Sequence, residues 1–483
     1  MTVMTKTSRR EILTYGVSLG GMAAFGRALA GQARTSRRPP PDKRKFVSAA
    51  VEETIVRVKA GIGDPELAWL FENCYPNTLD TTVEVGVVDG EPDTFVVTGD
   101  IPCMWLRDSS AQVWPYLPLA GRDAALRQLI EGVIRRQTRC ILIDPYANAF
   151  MADPRAMTDL RWALHDRTEM KPGVAERKWE IDSLCYPIRL AHGYWRATGD
   201  AAPFDEAWRA AMRLVLTTLR EQQRKAGPGP YRFQREAEAP TETLALEGYG
   251  NPTRKVGLIH AMFRPSDDAC LYPFFVPGNL FCVVSLRQLA RMSRAIHGDA
   301  VFAAECEALA GEVEGALRRH GRMRDEAGRS VWAYETDGYG NHLFMDDANA
   351  PNLLSLPYLG CCAPDEPLYR RTRARVLSLD NPYFFQGLAG EGVGGPHEGL
   401  RMIWPLSIIM RALTSQDDAE IRTCLERLKA THAGTGFMHE AFDQDDPSHF
   451  TRPWFAWANS LFGELILDLH VRKPALLSGG PRP

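Results

Sequence analysis

Carboxylates stand beside aromatic rings in two distant segments of this 483-residue chain. Near the C-terminus the sequence reads GFMHEAFDQDDPSHFTRPWFAWANS, in which Glu440 is a lone acid after His439. Midway along the chain it reads FRPSDDACLYPFF, in which Asp267 and Asp268 follow Arg264. Aromatic rings stack on the C–H faces of a sugar ring, while carboxylates bind its hydroxyls and transfer protons. Two such acids, far apart in sequence, indicate glycoside cleavage.

The paired aspartates exceed what a helix start requires. Ser266 or one of the two acids is enough to cap the helix that follows. The second acid and the charge-compensating Arg264 then need another explanation. Because crowded carboxylates raise one another's pKa, the pair suits a general acid.

Two earlier loops repeat the combination of ring, cation and acid. In TGDIPCMWLRDSS, Trp105 and Arg107 stand beside Asp108, and the three together predict a subsite that binds hydroxyls. An alternative interpretation of Asp108 is that it only caps the N-terminus of the following helix. In ERKWEIDSLCYP, Asp182 is equally well read as a cap or as a ligand, and Glu180 lies close by.

Two later regions add polar groups. The stretch YETDGYGNHLFMDDANAPN contains His342 and Asn349 among several carboxylates. A calcium site is the weaker reading of that stretch, because its spacing is not that of an EF-hand loop. The stretch QGLAGEGVGGPHEG is rich in glycine, which permits close approach to a ligand, and it places His397 and Glu398 where they can contact substrate.

Missing motifs exclude several other enzyme classes. His439 and Glu440 do not form HExxH, because Asp443 stands where the second histidine would be sought. Apart from GVSLG at 16–20, within the N-terminal stretch, the chain has no GxSxG, and it has no GxxxxGK[ST] and no His/Cys cluster with zinc spacing. The net charge of −3 and dispersed Lys and Arg give no reason to expect nucleic acid. No metal and no cofactor are predicted.

Helices must position these groups, because most apolar residues recur at three- and four-residue steps. One stretch, 82–97, instead alternates around an Asp-Gly turn and predicts a β-hairpin. The predicted helical stretches are 53–74, 124–137, 202–224, 280–297, 301–320, 368–379 and 419–432.

A hidden repeat organises the chain. Six times a polar loop leads into an apolar helix with an early proline, a residue tolerated in a first helical turn. Helices that are apolar all round are buried, so six of them alternating with amphipathic helices predict an (α/α)6 barrel of six inner and six outer helices. The alternative is a plain helical bundle. The repeated segments are 107–119, 180–195, 266–281, 346–359, 395–410 and 446–462.

The N-terminus predicts export. Arg9 and Arg10 precede a short apolar stretch and a small-x-small site, a pattern that resembles a twin-arginine signal. The alternative is a basic disordered tail. The apolar stretch is too short for stable membrane insertion, so a periplasmic or secreted protein is expected. The predicted boundaries are a signal peptide over 1–30, a flexible basic linker over 31–45, a single catalytic domain over 46–472 and a disordered tail over 473–483.

The motifs together resemble glycoside hydrolase family 125, the bacterial exo-α-1,6-mannosidases. The segments that carry the resemblance are TGDIPCMWLRDSS, ERKWEIDSLCYP, FRPSDDACLYPFFVPGN, DDANAPNLLSLPYLG, GEGVGGPH and GFMHEAF with FTRPWFAWANS, spread over roughly residues 70–465. The resemblance implies an (α/α)6 barrel and metal-independent, inverting removal of single terminal α-1,6-linked mannoses. A mannose-containing oligosaccharide or glycan is therefore the expected partner.

The resemblance also implies roles for individual residues. The general acid would lie in the Asp267–Asp268 pair, with Asp267 favoured over Asp268, and the general base would be Glu440. Arg107 and Asp108 would hold mannose hydroxyls, aided by His342, His397 and a tryptophan. The full set of predicted substrate-binding residues is Trp105, Arg107, Asp108, Arg264, His342, Asn349, His397, Arg452 and Trp454.

Two other functions compete with this one. A glucoamylase-like hydrolase of α-glucosides would carry the same fold, acids and rings, and activity on α-1,6-mannobiose against isomaltose separates the two. A non-catalytic glycan-binding protein would bind sugar without turnover and would tolerate loss of either catalytic acid.

Overall fold

Helices form most of the structure, a computed structural model that describes residues 34–237 and 239–479. Four 3₁₀ turns accompany them, at Pro41–Lys43, Trp114–Leu119, Pro240–Glu242 and Pro474–Leu476. The helices are α1 (Ala49–Ala60), α2 (Pro65–Cys74), α3 (Asn77–Thr81), α4 (Leu106–Val113), α5 (Ala124–Ile143), α6 (Ile181–Thr198), α7 (Glu206–Glu221), the irregular turn α8 (Ala245–Gly248), α9 (Val276–His297), α10 (Ala300–His320), α11 (Pro367–Val376), α12 (Pro405–Leu413), α13 (Asp418–Ala430) and α14 (Ala456–Arg472).

Small antiparallel sheets accompany the helices, so the expectation of an all-α fold with one hairpin is too simple. Several strands have only two residues, and two of these directly precede a helix, where they satisfy the backbone of buried loops. The strands are β1 (Val83–Val88), β2 (Glu91–Val96), β3 (Met104–Trp105), β4 (Ala149–Phe150), β5 (Val174–Glu176), β6 (Phe274–Phe275), β7 (Arg322–Arg324), β8 (Ser330–Trp332), β9 (Glu335–Thr336), β10 (His342–Leu343), β11 (Phe384–Gln386), β12 (Glu391–Val393), β13 (Met402–Ile403) and β14 (Phe442–Asp443).

The predicted hairpin over 82–97 is confirmed. Strands β1 and β2 pair in antiparallel register, with Val88 opposite Glu91. Asp89 and Gly90 join them with φ values of 53° and 84°. Both turn residues have positive φ, which is the left-handed pattern that Asp-Gly hairpin turns favour.

The prolines mark helix starts only in part. Pro277 and Pro405 lie in the first turns of α9 and α12, as predicted. Pro187 lies inside α6, and Pro115 begins a 3₁₀ turn after α4 rather than a helix of its own. The fourth predicted inner helix, 346–359, consists of turns.

Side-chain bonds explain why 346–359 does not form a helix. The Asp346 carboxylate accepts hydrogen bonds from the backbone N–H groups of Leu353 and Leu354 at 2.7 and 3.0 Å. Asn352 and Ser355 exchange similar bonds with each other. These side chains compete with helical i→i−4 bonding, so the segment folds into consecutive turns that remain buried.

The buried helices pack on one another in series. Helix α6 contacts both α4 and α9, and α14 contacts both α12 and α4. All eight residues of α4 are buried, as expected of an inner helix. The turn segment joins this series, because Ala350 O accepts the Tyr186 hydroxyl at 2.9 Å. Helices α5, α10, α13 and α2 pack against the members of this series.

The two predicted chain ends differ from expectation. Part of the predicted linker, residues 36–45, packs on the domain, since the buried Arg38 guanidinium pairs with Glu52 and Asp80. Of the predicted tail, Leu476 and Leu477 are buried. The predicted signal over 1–30 lies outside the described residues. Within the described part of the chain, no helix is both long and apolar enough to cross a bilayer.

Candidate active site

A cavity of about 300 Å³ lies where the loops before α4, α6, α9, α12 and α14 meet. Acids, cations and aromatic rings from all these loops line it. The structure therefore brings together residues that are more than 300 positions apart in sequence. The predicted residues that line the cavity are Trp105, Arg107, Asp108, Asp267, Asn349, His397, Glu398, Glu440 and Arg452.

The acids at the starts of α4 and α6 are not helix caps. The N-cap of α4 is Trp105 and that of α6 is Glu180, and neither side chain caps its helix. The cap readings of Asp108 and Asp182 are therefore wrong. Short pairing of β3 with β4 fixes the loop before α4, and the carboxyls instead face the Arg107 guanidinium.

Arg107 is a buried cation surrounded by carboxyls. Its Nη1 atom pairs with Glu180 and lies 3.4 Å from Asp182 Oδ2. Its Nη2 atom lies 3.4 Å from Asp267 Oδ1, and its Nε atom lies 3.5 Å from Asp108 Oδ2. Burial raises the pKa of Asp182 to about 6, although Arg107 opposes the shift. One guanidinium thus fixes acids from three different loops.

Asp267 is the member of the aspartate pair that faces the cavity. Its side chain is 21% exposed, against 1% for Asp268. Its φ of 66° is in the left-handed region, which aspartate tolerates better than most residues. Lys178 Nζ holds the Asp267 carbonyl at 2.7 Å, and Asn148 Nδ2 donates to Oδ1 at 3.1 Å. The backbone is thus fixed so that this carboxyl reaches the cavity.

Asp268 points away from the cavity and into the protein. Its Oδ2 atom accepts the Ser266 hydroxyl at 2.9 Å, and its Oδ1 atom lies 3.8 Å from His397 Nδ1. Burial would lower the pKa of His397, but the neighbouring Asp268 carboxylate, with Glu440 and Asp267, raises it to about 10. His397 is therefore a cation in the cavity wall.

Glu440 occupies another part of the wall. Arg452 Nη1 donates to its Oε1 atom at 3.0 Å, and the Thr451 hydroxyl donates to Oε2 at 3.3 Å. Burial raises the pKa of Glu440 to about 7; Arg452 opposes the shift, and the adjacent Glu398 adds to it. Asn459 in α14 accepts the Met438 backbone N–H at 2.9 Å and so fixes the segment that carries Glu440.

Two groups of side chains have the spacing of metal ligands within the described residues. One contains Glu242, Asp268 and His397, and the other contains His397, Glu398 and Glu440. His397 belongs to both groups. A protonated imidazole has no free lone pair for a metal, and the high pKa of His397 favours that form. A protonated His397 places its own positive charge among the carboxyls of both groups.

A family model described as metal-independent α-mannosidase, glycoside hydrolase family 125, matches residues 64–467. This chain belongs to that family. It is therefore a glycoside hydrolase of the α-mannosidase class, and neither the α-glucosidase nor the non-catalytic alternative is supported.

Two relatives show how far family 125 similarity extends. A protein of Schizosaccharomyces pombe named Meiotically up-regulated gene 157 protein is 45% identical over 456 residues, covering 91% of this chain and 89% of its own length. A solved structure from Streptococcus pneumoniae is 41% identical, with a TM-score of 0.84, and the match covers 89% of this chain and all of that one. It is described as a metal-independent α-mannosidase in a non-productive complex with α-1,6-mannobiose.

Three predicted binding residues of this family 125 chain do not line the cavity. His342 lies in a separate surface cavity with Arg318 and Arg322, because β10 pairs with β9 on that side. Arg264 is buried and donates to Glu335 Oε1 at 2.7 Å. Trp454 is 36% exposed and is not among the residues that line the cavity. The prediction that these three residues line the substrate cavity is therefore wrong.

Other lining residues were not among the predicted site residues. Trp457 and Trp404 supply aromatic surface at the starts of α14 and α12. Lys178 and Glu242 form a 2.9 Å ion pair in the wall, and Trp162 lies at the exposed rim. The motif ERKWE signals Lys178, whereas Glu242 and Trp162 stand in irregular loops without a motif.

Proposed function

We propose that this family 125 enzyme removes single non-reducing-terminal mannoses from α-1,6 linkages with inversion at the anomeric carbon. The observation that carries the proposal is one cavity lined by two carboxyls from distant loops, Asp267 and Glu440. At about 300 Å³ the cavity is at the small end of ligand sites, so it suits a chain end rather than a long polymer. The α-1,6-mannobiose named for the Streptococcus pneumoniae structure supports the linkage.

In the proposed mechanism Asp267 protonates the leaving oxygen while Glu440 deprotonates the attacking water. Inversion requires the two carboxyls to lie roughly 6.5–9.5 Å apart, so that water fits between Glu440 and the anomeric carbon. Arg107 and Asp108 are proposed to bind hydroxyls of the terminal mannose, with Asn349 and His397 adding to them. The rings of Trp105 and Trp457 would contact its apolar face.

We also propose that the helices form an (α/α)6 barrel. The serial contacts among α4, α6, α9, α12 and α14 support it, and the turn segment 346–359 takes the place of the fourth inner helix. In that arrangement the loops before the inner helices share one face. The common cavity of those loops is what such a barrel predicts.

The decisive test of the function is the anomer released from α-1,6-mannobiose. We expect NMR at early times to show β-mannose accumulating before α-mannose, and EDTA to leave the rate unchanged. Early α-mannose would contradict inversion and make one carboxyl a nucleophile. No turnover of mannobiose, with cleavage of an isomaltose control, would contradict the substrate.

The pKa of Glu440 predicts the acid limb of the pH profile. A general base must be ionised, so kcat/KM should fall tenfold per unit as pH drops below about 7, where the raised pKa protonates Glu440. Glu398→Gln removes the neighbouring carboxyl that raises this pKa, and the acid limb should move to lower pH. A wild-type limb near pH 4.5, unmoved in Glu398→Gln, would contradict this assignment.

We propose that the protein is exported through a twin-arginine signal. Arg9 and Arg10 followed by a short apolar stretch support the proposal. Replacing both with lysine should leave mannosidase activity in the cytoplasm of the native host, as cell fractionation would measure. Unchanged export in that variant would contradict it.

A further inference from the structure

Glu180 is a buried carboxyl directly behind the proposed catalytic acid. It does not line the cavity, and none of its surface is exposed. Its Oε2 atom accepts the Ser183 hydroxyl at 2.6 Å and also pairs with Arg107. Its other oxygen, Oε1, lies 3.4 Å from Asn148 Nδ2. Glu180 is thus held from several sides, although a helix start needs no such residue.

The Glu180 and Asp267 carboxyls are neighbours, because Asn148 Nδ2 lies 3.4 Å from Glu180 Oε1 and 3.1 Å from Asp267 Oδ1. Arg107 and Asn148 each contact both carboxyls and hold them side by side. Two ionised carboxylates have no donor between them. Such a contact is therefore favourable only when one of the pair carries a proton, as in the carboxyl pairs of aspartic proteases.

The surrounding charges are consistent with one shared proton. Arg107 is the cation that contacts both carboxyls, yet it also contacts two further acids. Ionising every acid in this buried cluster would leave carboxylates in excess of the cations, which is costly away from water. The charged groups that face the pair are Arg107, Lys178 and His397 as cations and Asp108, Asp182 and Glu176 as acids.

We propose that Glu180 is a positioning residue that shares one proton with Asp267, and that this proton is delivered to the leaving oxygen of the mannoside. The inference rests on the proposed function, in which Asp267 is the acid. The proton moves from Glu180 to Asp267, and the Asp267 O–H bond breaks as the leaving oxygen takes the proton. Both carboxyls are then ionised, Glu440 holds the proton from water, and exchange with solvent restores the starting state.

The directions in which the pKa values of Glu180 and Asp267 shift agree with this arrangement. Burial, opposed by Arg107 and reinforced by Asp267, raises the pKa of Glu180 well above its usual range. Burial alone would also raise the pKa of Asp267, but the Glu180 hydrogen bond, Arg107 and Lys178 lower it. Before substrate binds, the proton is therefore on Glu180. As the two groups are coupled, their titration belongs to the pair.

The test is Glu180→Gln in the full chain, assayed on two substrates. Glutamine keeps the donor towards Asp267 and the acceptor for Arg107, but it cannot release a proton. On α-1,6-mannobiose, kcat/KM should fall about 10²-fold and the alkaline limb should move at least about one unit lower. On 2,4-dinitrophenyl α-mannoside, whose leaving group needs no proton, the rate should stay within about threefold.

Two results would overturn the proposal. One is a mannobiose rate and alkaline limb like those of the wild type, and the other is an equal loss on both substrates, which indicates a structural role. Glu131→Gln is the matched control, because Glu131 is a buried carboxyl paired with Arg135 in α5; both substrates should be unaffected.

A second variant keeps the proposal testable if Glu180→Gln fails to fold. Glu180→Asp retains a titratable carboxyl, so it should keep the wild-type alkaline limb at a reduced mannobiose rate; a limb shifted to lower pH would contradict proton sharing. Failure of the proposed function is distinguishable, because Asp267→Ala would then keep full mannobiose activity whatever the Glu180 variants do.

Discussion

Replacing Glu440 with alanine is expected to lower kcat on α-1,6-mannobiose by about 10²- to 10⁴-fold, the usual range for loss of a general base. The attacking water would lose the only carboxylate that the proposed mechanism assigns to it. Because Glu440 lies in the cavity wall, held by Arg452 and Thr451 on loops, the fold should remain. Initial rates, with circular dichroism of the same sample, measure both effects.

The matched control for this prediction lies on the same segment. Asp443→Asn alters a carboxylate of β14 that pairs with Arg401 outside the cavity, and its activity should equal that of the wild type. Near-normal activity in Glu440→Ala would remove Glu440 from the mechanism. Loss of the folded state in that variant would make its carboxylate a structural group.

The elements and their order were predictable because they follow from local pattern. Apolar spacing located the helices, and Asp89-Gly90 located the hairpin turn. The prediction of a helix at 346–359 was wrong. The apolar residues of this segment match those of a buried helix, but the Asp346 carboxylate accepts a hydrogen bond from the backbone N–H of Leu353, and the segment folds into turns. A side chain that satisfies backbone N–H groups leaves no signal in hydrophobic periodicity.

Site residues could be predicted from the sequence where they stand in the loops that lead into helices. Arg107 lies in the first turn of α4, whereas Asp267 and Glu440 lie further back, in the loops that lead towards α9 and α14. His342 was misplaced because nearness in sequence to the acids of 346–347 does not fix direction, and the two-residue strand β10 turns it to another surface. Glu242 was missed because its place in the cavity wall depends on ion pairs with Lys178 and Arg235, which no motif signals.

The predicted linker near the N-terminus differs from the structure for a similar reason. The stretch 31–45 is rich in proline and basic residues, which predicts a linker. Arg38 nevertheless finds Glu52 and Asp80 in two different helices, and Lys45 N–H donates to the Asp80 carbonyl at 2.9 Å. Partners that are distant in sequence decide whether such a stretch is ordered.

Alanine at Asp267 and asparagine at Asp268 should impair the enzyme in different ways. Asp267 faces the cavity, so Asp267→Ala should lower kcat on α-1,6-mannobiose by about 10²- to 10⁴-fold but spare 2,4-dinitrophenyl α-mannoside, which needs no acid. Asp268 acts through His397, so Asp268→Asn should slow both substrates alike. Steady-state kinetics on the two substrates measure the contrast. The opposite pattern, with the dinitrophenyl substrate spared only in Asp268→Asn, would transfer the acid role to Asp268.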